Sequence, residues 1–168
     1  MPFIRNPDDG AVGPAIRELT KHRTDPDWSN EVQLLCFVAN HMLLERKIRR
    51  LQEKHPLVVM DRNWLSTLVY QHDAEGCEEI TERYCDLIPD KLVYIKVPVA
   101  VTFERWTSQR RSLDGFEAGG HGFLQKLQDR YDELIPMYIP EDRILRFDGQ
   151  KPPEELHEEI YSKLNLGD

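Results

Sequence analysis

Features that mark disulfide-rich, metal-binding or membrane proteins are scarce in this sequence. There are only three cysteines, an odd number, without a C-x-x-C pair, and no two histidines stand at zinc-finger spacing. We therefore predict no structural disulfide, no metal site and a reducing, cytoplasmic environment. No apolar run approaches the ~18 residues typical of a membrane span, and the N-terminus has no apolar signal core. Neither a membrane anchor nor a secretory leader is expected.

Positive charge is also in short supply. The 168 residues contain 22 Lys and Arg against 30 Asp and Glu, which gives a formal net charge of −8. Such an acidic chain is poorly suited to non-specific binding, so neither nucleic acid nor membrane is expected as a partner. Any anionic ligand has to be held by locally placed Arg or Lys. A hydrophobic fraction of 40% is enough for a core, and we predict a single domain over residues 1–168.

Strand patterns alternate with helical patterns along the chain. The predicted strands are Phe3–Arg5, Leu57–Met60, Leu92–Val97 and Arg143–Phe147. The second and third are continuous apolar runs, which favours strands buried on both faces. The predicted helices are Ser29 or Asn30 to about Glu53, Leu65–Gln71, Glu78–Leu87, Pro98–Arg111, Phe123–Ile135 and Glu154–Leu164. The alternation predicts a three-layer α/β domain with a parallel sheet.

Two segments carry further detail. The long helix has apolar residues at the three–four spacing of an amphipathic helix: Val32, Leu35, Val38, Ala39, Met42 and Leu43. The segment Ser112–Gly122 contains four glycines and is predicted to be a mobile loop.

The strand that ends at Asp61-Arg62 and leads directly into a helix is the most informative stretch. In open parallel sheets, ligands bind just beyond the carboxyl ends of the strands. The planar guanidinium of an Arg there suits a phosphate, and Asp61 could orient Arg62 or hold a metal-bound water. A strand-end ion pair followed by a helix cap explains the same residues equally well. The residue types alone leave both interpretations open.

The same stretch resembles the thymidylate kinase signature D-R-Y-x-x-S-x-x-A-Y-Q. Asp61, Arg62, Ser66, Tyr70 and Gln71 match it, whereas Asn63 and Val69 depart from it. The resemblance implies a P-loop-kinase-like fold and transfer of the ATP γ-phosphoryl group to dTMP, giving dTDP. It gives Arg62 and Asp61 catalytic roles at the acceptor phosphate. It also places Thr67, Tyr70 and Gln71 near the edges of the base.

Two N-terminal segments are similar to the same family. The run L-L-C-F-V-A-N-H, residues 34–41, resembles L-L-F-x-A-[ND]-R, which implies that Phe37 stacks on the base. Taken alone, Phe37 is better explained by core packing. His41 stands where the family has an Arg that reads thymine, so strict thymine specificity is not implied. The segment that begins at Arg5 resembles R-E-P-G-G-T-x-x-G-x-x-I-R-x-L, which implies that Arg5 reaches the acceptor phosphate. An exposed turn would explain the Pro-Asp-Asp-Gly run as well.

The predicted loop also carries a family motif. The run that begins at Arg110 and Arg111 resembles the lid R-x-x-x-D-x-x-E, which implies that one of these two arginines closes over the transferred group. A solvated charge cluster is the plainer interpretation. The resemblance implies ATP and Mg²⁺ as cofactors, and a homodimer is possible by the same analogy.

The P-loop of such kinases, G-x-x-x-x-G-K-[ST], does not occur in the 168 residues. The resemblance begins at the family's second strand, so the first and central strand and the first helix have no counterpart. Three explanations remain open: an N-terminally truncated kinase, a strand supplied by a second chain, or a closed-up sheet that binds nucleotide without catalysis. The alternative function is thus a non-catalytic homologue that binds dTMP or another deoxynucleotide.

Overall fold

The computed structural model describes residues 1–21, 27–108 and 120–165. Contacts divide this part of the chain into two compact units, residues 1–87 and residues 88–165, apart from the undescribed segments. The prediction of a single domain is not decided by this division. None of the described helices is long and apolar enough to cross a membrane.

The first unit contains two parallel strands and four helices. Strands β1 (Phe3–Arg5) and β2 (Val59–Asp61) pair in register, with Arg5 opposite Asp61. The helices are α1 (Gly13–Lys21), α2 (Asn30–Gln52), α3 (Trp64–Tyr70) and α4 (Cys77–Tyr84). Helices α2, α3 and α4 pack against one another, so residues on all three can contribute to one site.

The second unit has the same alternation. Strands β3 (Leu92–Lys96) and β4 (Ile144–Asp148) pair in parallel, and the helices are α5 (Val99–Ser108), α6 (Gly120–Tyr138) and α7 (Pro153–Lys163). Asp132 of α6 ties the helix to β3, because its carboxylate accepts from Tyr94 Oη (3.2 Å) and pairs with Lys96 Nζ (2.6 Å). All four predicted strands are thus present, and the parallel α/β class is confirmed.

The expected burial of the strands is wrong. The residues of β2 are only partly buried, and Ile95 and Lys96 of β3 are exposed. Within the described residues each strand has a single hydrogen-bonded neighbour, β1 for β2 and β4 for β3. A strand paired along one edge cannot be enclosed as the middle strand of a wide sheet is.

Helix α2 has the bounds predicted from the sequence, but its buried face is a different one. Ser29 caps the helix by accepting from Val32 N. Much of the predicted apolar stripe is exposed, at Val32, Leu35, Ala39 and Leu43. The buried face instead combines apolar and polar side chains: Gln33, Leu34, Val38, Asn40, His41, Leu44, Glu45 and Ile48.

The apolar part of this face forms the core beneath the first sheet. Ile4 of β1 packs with Leu44 and Ile48, all at most 4% exposed. Burial of each such side chain stabilises the fold by about 1.5–3 kcal/mol. This core fixes α2 against β1, and it therefore sets the position of the polar residues on α2 relative to the end of the strand.

Candidate functional site

The carboxyl ends of β1 and β2 bring Arg5 and Asp61 together. Arg5 Nε donates to Asp61 Oδ2 at 3.0 Å, and the next amide, Asn6 N, donates to the Asp61 carbonyl at 3.0 Å. The two side chains are about half exposed, 52% and 44%, so the ion pair is worth at most about 1 kcal/mol. An anionic ligand with several oxygens can therefore compete for Arg5 at little cost.

The loop after β1 is held by polar contacts, of which those made by Asn40 are buried. The Asp9 carboxylate accepts from Arg5 N at 2.7 Å, and Asp9 N donates to the Arg5 carbonyl at 2.8 Å. Asn40, on the buried face of α2, donates from Nδ2 to Asn6 Oδ1 at 3.0 Å and to the Pro7 carbonyl at 3.4 Å. Because Asn40 is fully buried, these contacts tie the segment that follows Arg5 to the helix.

Gly10 completes the same loop. Its φ of +97° lies in a region that disfavours side chains, and an added Cβ would stand 2.8 Å from Asn40 Oδ1. The loop therefore approaches Asn40 as closely as it does only because residue 10 is glycine.

Arg62 adopts an unusual backbone conformation at the end of β2. Its φ of 65° is uncommon for a residue with a side chain and costs roughly 1–2 kcal/mol. The guanidinium lies over the Tyr70 ring, 5.2 Å from its centroid. Asn63 then caps α3 by accepting from Leu65 N at 3.1 Å. Strain of this kind is concentrated at functional sites, and here it occurs at an exposed Arg that directly follows Asp61, the partner of Arg5.

Helix α3 ends in a buried amide. Gln71 is 2% exposed, and neither Oε1 nor Nε2 has a hydrogen-bond partner among the described residues. Buried unpaired polar groups are uncommon because each costs about 1–3 kcal/mol. A ligand or an ordered water that pairs with both atoms would remove this cost. Thr67, one turn earlier, is buried, and Tyr70 is partly buried.

Phe37 and His41 lie one turn apart on α2. Phe37 is partly buried, whereas His41 is 1% exposed. His41 Nε2 lies 3.1 Å from Glu45 Oε1 but is not aligned as a hydrogen bond, and Nδ1 has no partner in the described part of the chain. The sequence did not lead us to expect this pairing of His41 with a carboxylate.

Of the ten residues predicted for the site, the structure describes eight, all in the first unit: Arg5, Phe37, His41, Asp61, Arg62, Thr67, Tyr70 and Gln71. A hydrogen bond joins Arg5 with Asp61, and a cation–π contact joins Arg62 with Tyr70. Arg110 and Arg111 lie outside the described residues, as does most of the predicted loop. The described part of that loop differs from the prediction, because α6 begins at Gly120 instead of Phe123.

Three further residues were missed by the sequence analysis. Asn40 positions the Arg5 loop, and Glu45 and Cys85 lie beside His41. Burial raises the pKa of the Cys85 thiol to about 12, and the Glu45 and Asp86 carboxylates act in the same direction. The signal for Asn40 was the A-N dipeptide of the motif, to which no role was given. Nothing in the sequence marked Cys85, because it lies 40 residues beyond Glu45.

The second unit has an open groove between β4 and α7. It contains three basic side chains: Arg146 pairs with Glu141, Lys151 pairs with Glu155 and Glu159, and Lys163 lies over the Phe147 ring, 4.7 Å from its centroid. Gly149, which follows β4, donates from its amide to the Lys96 carbonyl at 2.8 Å. This groove is thus less suited to an anion than the strand ends of the first unit.

Comparisons with known proteins bear on the family and the fold. The family model for thymidylate kinase matches residues 1–160. A thymidylate kinase of Alteromonas mediterranea is 32% identical over 165 residues, which cover 94% of this chain and 72% of the relative. One of Fervidobacterium nodosum is 28% identical and covers 98% of this chain and 84% of the relative. The crystal structure of thymidylate kinase from Ehrlichia chaffeensis superposes with a TM-score of 0.65 at 19% identity, over 98% of this chain and 79% of that chain.

The fold together with the family match defines a parallel α/β protein of the nucleoside monophosphate kinase class. Because the family model covers nearly the whole chain and a relative is more than 30% identical, the assignment can be narrower. The chain belongs to the thymidylate kinase family.

Proposed function

We propose that this chain binds dTMP as the acceptor in phosphoryl transfer from ATP, which yields dTDP. The observation that carries the proposal is the contact of Arg5 with Asp61 at the ends of two adjacent parallel strands, with Arg62 as the next residue along the chain. Two guanidinium groups at this edge match the oxygens of a monophosphate, and they answer the need for local positive charge in an acidic chain. The assignment of roles below is part of the proposal.

The acceptor phosphate would displace Asp61 from Arg5. The freed carboxylate would then orient the arginines instead of neutralising one of them. The Tyr70 ring packs against the Arg62 guanidinium and restricts its rotamers. Arg62 would therefore lose little conformational entropy on binding the phosphate. Positioning of this kind accounts for much of the rate acceleration in phosphoryl transfer, where the protein orients the groups and stabilises charge.

The base would stack on Phe37, with Gln71 at its edge. The unpaired Gln71 amide offers one donor and one acceptor, which complements adjacent groups on a pyrimidine. An amide can turn over to fit either thymine or cytosine, so Gln71 does not choose between them. Thr67, Tyr70 and His41 Nδ1 would supply the remaining contacts. The ratio of the affinities for dTMP and dCMP therefore measures how strongly this pocket discriminates between the two bases.

The described residues do not explain how the phosphoryl donor would bind. Family membership implies ATP and Mg²⁺, but no triphosphate cradle is formed by the part of the chain that the structure describes. The Gly-containing segment after β1 carries Asp8 and Asp9, whose carboxylates pair with Arg17 and with Arg5 N. The negative charge of these carboxylates repels phosphate. We therefore derive no step through ATP or Mg²⁺ from this segment. In the proposal Arg110 or Arg111 stabilises the transferred group.

The test is dTMP binding to the purified chain by isothermal titration calorimetry, together with ADP release from Mg²⁺–ATP with and without dTMP. Arg62→Ala should lower dTMP affinity at least tenfold and leave the fold intact. The matched control is Arg83→Ala, because Arg83 also lies over a tyrosine, 5.8 Å from the Tyr84 ring centroid, but on α4. Equal dTMP affinity in the two variants would overturn the site.

ADP release separates the two functions that the sequence left open. Release that depends on dTMP identifies a kinase. Binding of dTMP without release, in a protein that unfolds cooperatively, identifies the non-catalytic homologue.

A homodimer through α2 is the second part of the proposal. Val32, Leu35 and Leu43 are 39–55% exposed on one side of this helix, an apolar stripe without a partner in the described residues. Leu35→Glu should shift the protein from dimer to monomer in sedimentation analysis, whereas Leu19→Glu, an equally apolar exposed site on α1, should not.

We place the protein in the cytoplasm, in keeping with three cysteines that form no disulfide in the structure.

A further inference from the structure

A buried cluster of three ligand-type side chains lies beside the proposed base pocket. His41 and Glu45 are one turn apart on α2, and Cys85 lies at the C-terminal end of α4. One ligand atom from each lies within 4.8 Å of the other two, and all three residues are at most 5% exposed. Among the described residues this is the one group of its kind.

The cluster is held in place by its surroundings. Helices α2 and α4 pack directly against each other. Helix α4 stops at Tyr84, so the following backbone is extended and Leu87 N donates to Glu45 Oε1 at 3.1 Å. Trp64 Nε1 in turn donates to the Leu87 carbonyl at 3.0 Å. Hydrogen bonds to metal-binding side chains, and to the groups next to them, orient those side chains toward the metal. Here such hydrogen bonds are already formed in the chain without a metal.

The His41 ring is the unsatisfied member of the cluster. His41 Nε2 and Glu45 Oε1 are 3.1 Å apart, yet neither ring nitrogen of His41 makes an aligned hydrogen bond in the described part of the chain. Two ligand atoms bound to one tetrahedral ion at about 2.0–2.1 Å lie roughly 3.3 Å apart, so the observed separation fits a shared ion. A cation between them would also offset the field of a carboxylate enclosed beside a thiol.

From this geometry we propose that His41 Nε2, Glu45 and Cys85 Sγ bind one Zn²⁺, with a water in the fourth position. Imidazole, carboxylate and thiolate are all ligands of zinc, and a tetrahedral site with three protein ligands and a water is a common zinc arrangement. Binding exchanges the Cys85 proton for the metal, and that proton goes to solvent. The site goes beyond the proposed kinase function and does not depend on it. Coordination through Nε2 leaves Nδ1 available, so the base contact proposed for His41 is compatible with the metal.

The experiment uses the full chain, first treated with a chelator. Zn²⁺ is titrated against a chromophoric chelator to obtain stoichiometry and affinity. Co²⁺ then replaces Zn²⁺, because a cobalt–thiolate bond gives a charge-transfer absorption that His and Glu ligands do not give. We expect one equivalent of metal per chain, the charge-transfer band, and a rise in melting temperature with added Zn²⁺.

Variants assign the ligands. Cys85→Ser should abolish the cobalt–thiolate band and weaken Zn²⁺ binding by more than the roughly 10–100-fold typical of outer-shell changes. Cys77→Ser is the matched control, because Cys77 is an equally buried thiol on the same helix, and it should keep the band. Glu45→Gln, which preserves shape, should weaken Zn²⁺ binding without loss of the thiolate band.

Several outcomes would overturn the proposal. One is a wild-type chain that binds no stoichiometric metal. Another is metal binding without a thiolate band, which would indicate a surface site such as His72 and Asp73. A third is a band that persists in Cys85→Ser and disappears in Cys77→Ser. If Cys85→Ser does not fold, the wild-type band and Glu45→Gln still decide the question.

Discussion

Replacement of Asn40 by Ala tests how the Arg5 loop is positioned. The substitution removes the donor to Asn6 Oδ1 (3.0 Å) and the longer contact to the Pro7 carbonyl (3.4 Å), both in a fully buried setting. A buried acceptor left without its donor costs about 1–3 kcal/mol. Asn40 Oδ1 has no partner among the described residues, so its removal returns part of this cost. We expect a net loss of about 2 kcal/mol, or roughly 4–8 °C in melting temperature for a chain of this size.

The assay combines urea unfolding with dTMP binding. Asn40→Ala should lower both stability and dTMP affinity, because the loop that follows Arg5 is no longer anchored to α2. The control is Gln33→Ala. Gln33 is also a buried amide on α2, but its Nε2 donates to the Trp28 carbonyl at 3.1 Å, away from the loop. It should lower stability alone. A loss of less than about 0.5 kcal/mol in Asn40→Ala, or equal dTMP affinity in both variants, would refute the reasoning.

A double-mutant cycle sharpens the test. Gly10→Ala adds a Cβ that would stand 2.8 Å from Asn40 Oδ1, in addition to the strain of a φ of +97°. In the Asn40→Ala background the clash with Oδ1 disappears, whereas the backbone strain and the 3.3 Å approach to Leu44 Cδ2 remain. Gly10→Ala should therefore cost less there than in the wild-type chain, and additive free energies would show that the two residues do not touch in solution.

Three other perturbations follow from the structure. Arg62→Gly should be about 1 kcal/mol more stable than Arg62→Ala, because only glycine relieves the φ of 65°, while both lose dTMP affinity; equal stabilities would mean that the strain is absent. Gly149→Ala should cost about 1–3 kcal/mol in thermal unfolding, because a Cβ would lie 2.9 Å from Ile95 Cγ2; a neutral effect would contradict this packing. The raised pKa of Cys85 means that the folded state holds the thiol proton more tightly, so its contribution is complete below pH 9 and is lost between pH 9 and 12. Unfolding free energies of wild type and Cys85→Ala should therefore converge over that range, and a constant difference would refute the shift.

Much of the secondary structure followed from local signals. Ser29 fixed the start of α2, and the apolar runs before Asp61 and after Asp90 located β2 and β3. Helix α1 was not predicted, although Pro14 in its first turn is a typical start signal, because the segment was interpreted through its turn-like Pro-Asp-Asp-Gly run. Local sequence signals thus predicted most helices and strands, and α1 was missed because its segment was interpreted as a turn.

The site was predictable to the extent that its residues follow strands. Arg5 and Asp61 come together because parallel strands end at the same edge, and the sequence placed both at strand ends. The φ of Arg62 was not predictable, because a left-handed conformation at a residue with a side chain is decided by its surroundings. The unpaired state of Gln71 was hidden for the same reason, since it depends on what α2, α3 and α4 enclose together.

The buried face of α2 shows why the pattern of hydrophobicity was misleading there. Apolar residues occur on both sides of this helix: Val32, Leu35 and Leu43 are exposed, whereas Leu34, Val38, Leu44 and Ile48 are buried. The inner side carries Asn40, His41 and Glu45, each of which has a specific partner or neighbour in the first unit. A polar group is buried at a cost of about 1–3 kcal/mol unless it is paired, so a folded chain keeps it for a contact that an apolar residue cannot make. Asn40 has such a contact within the chain, whereas His41 and Gln71 have none among the described residues, and for this reason both of our proposals give them a ligand.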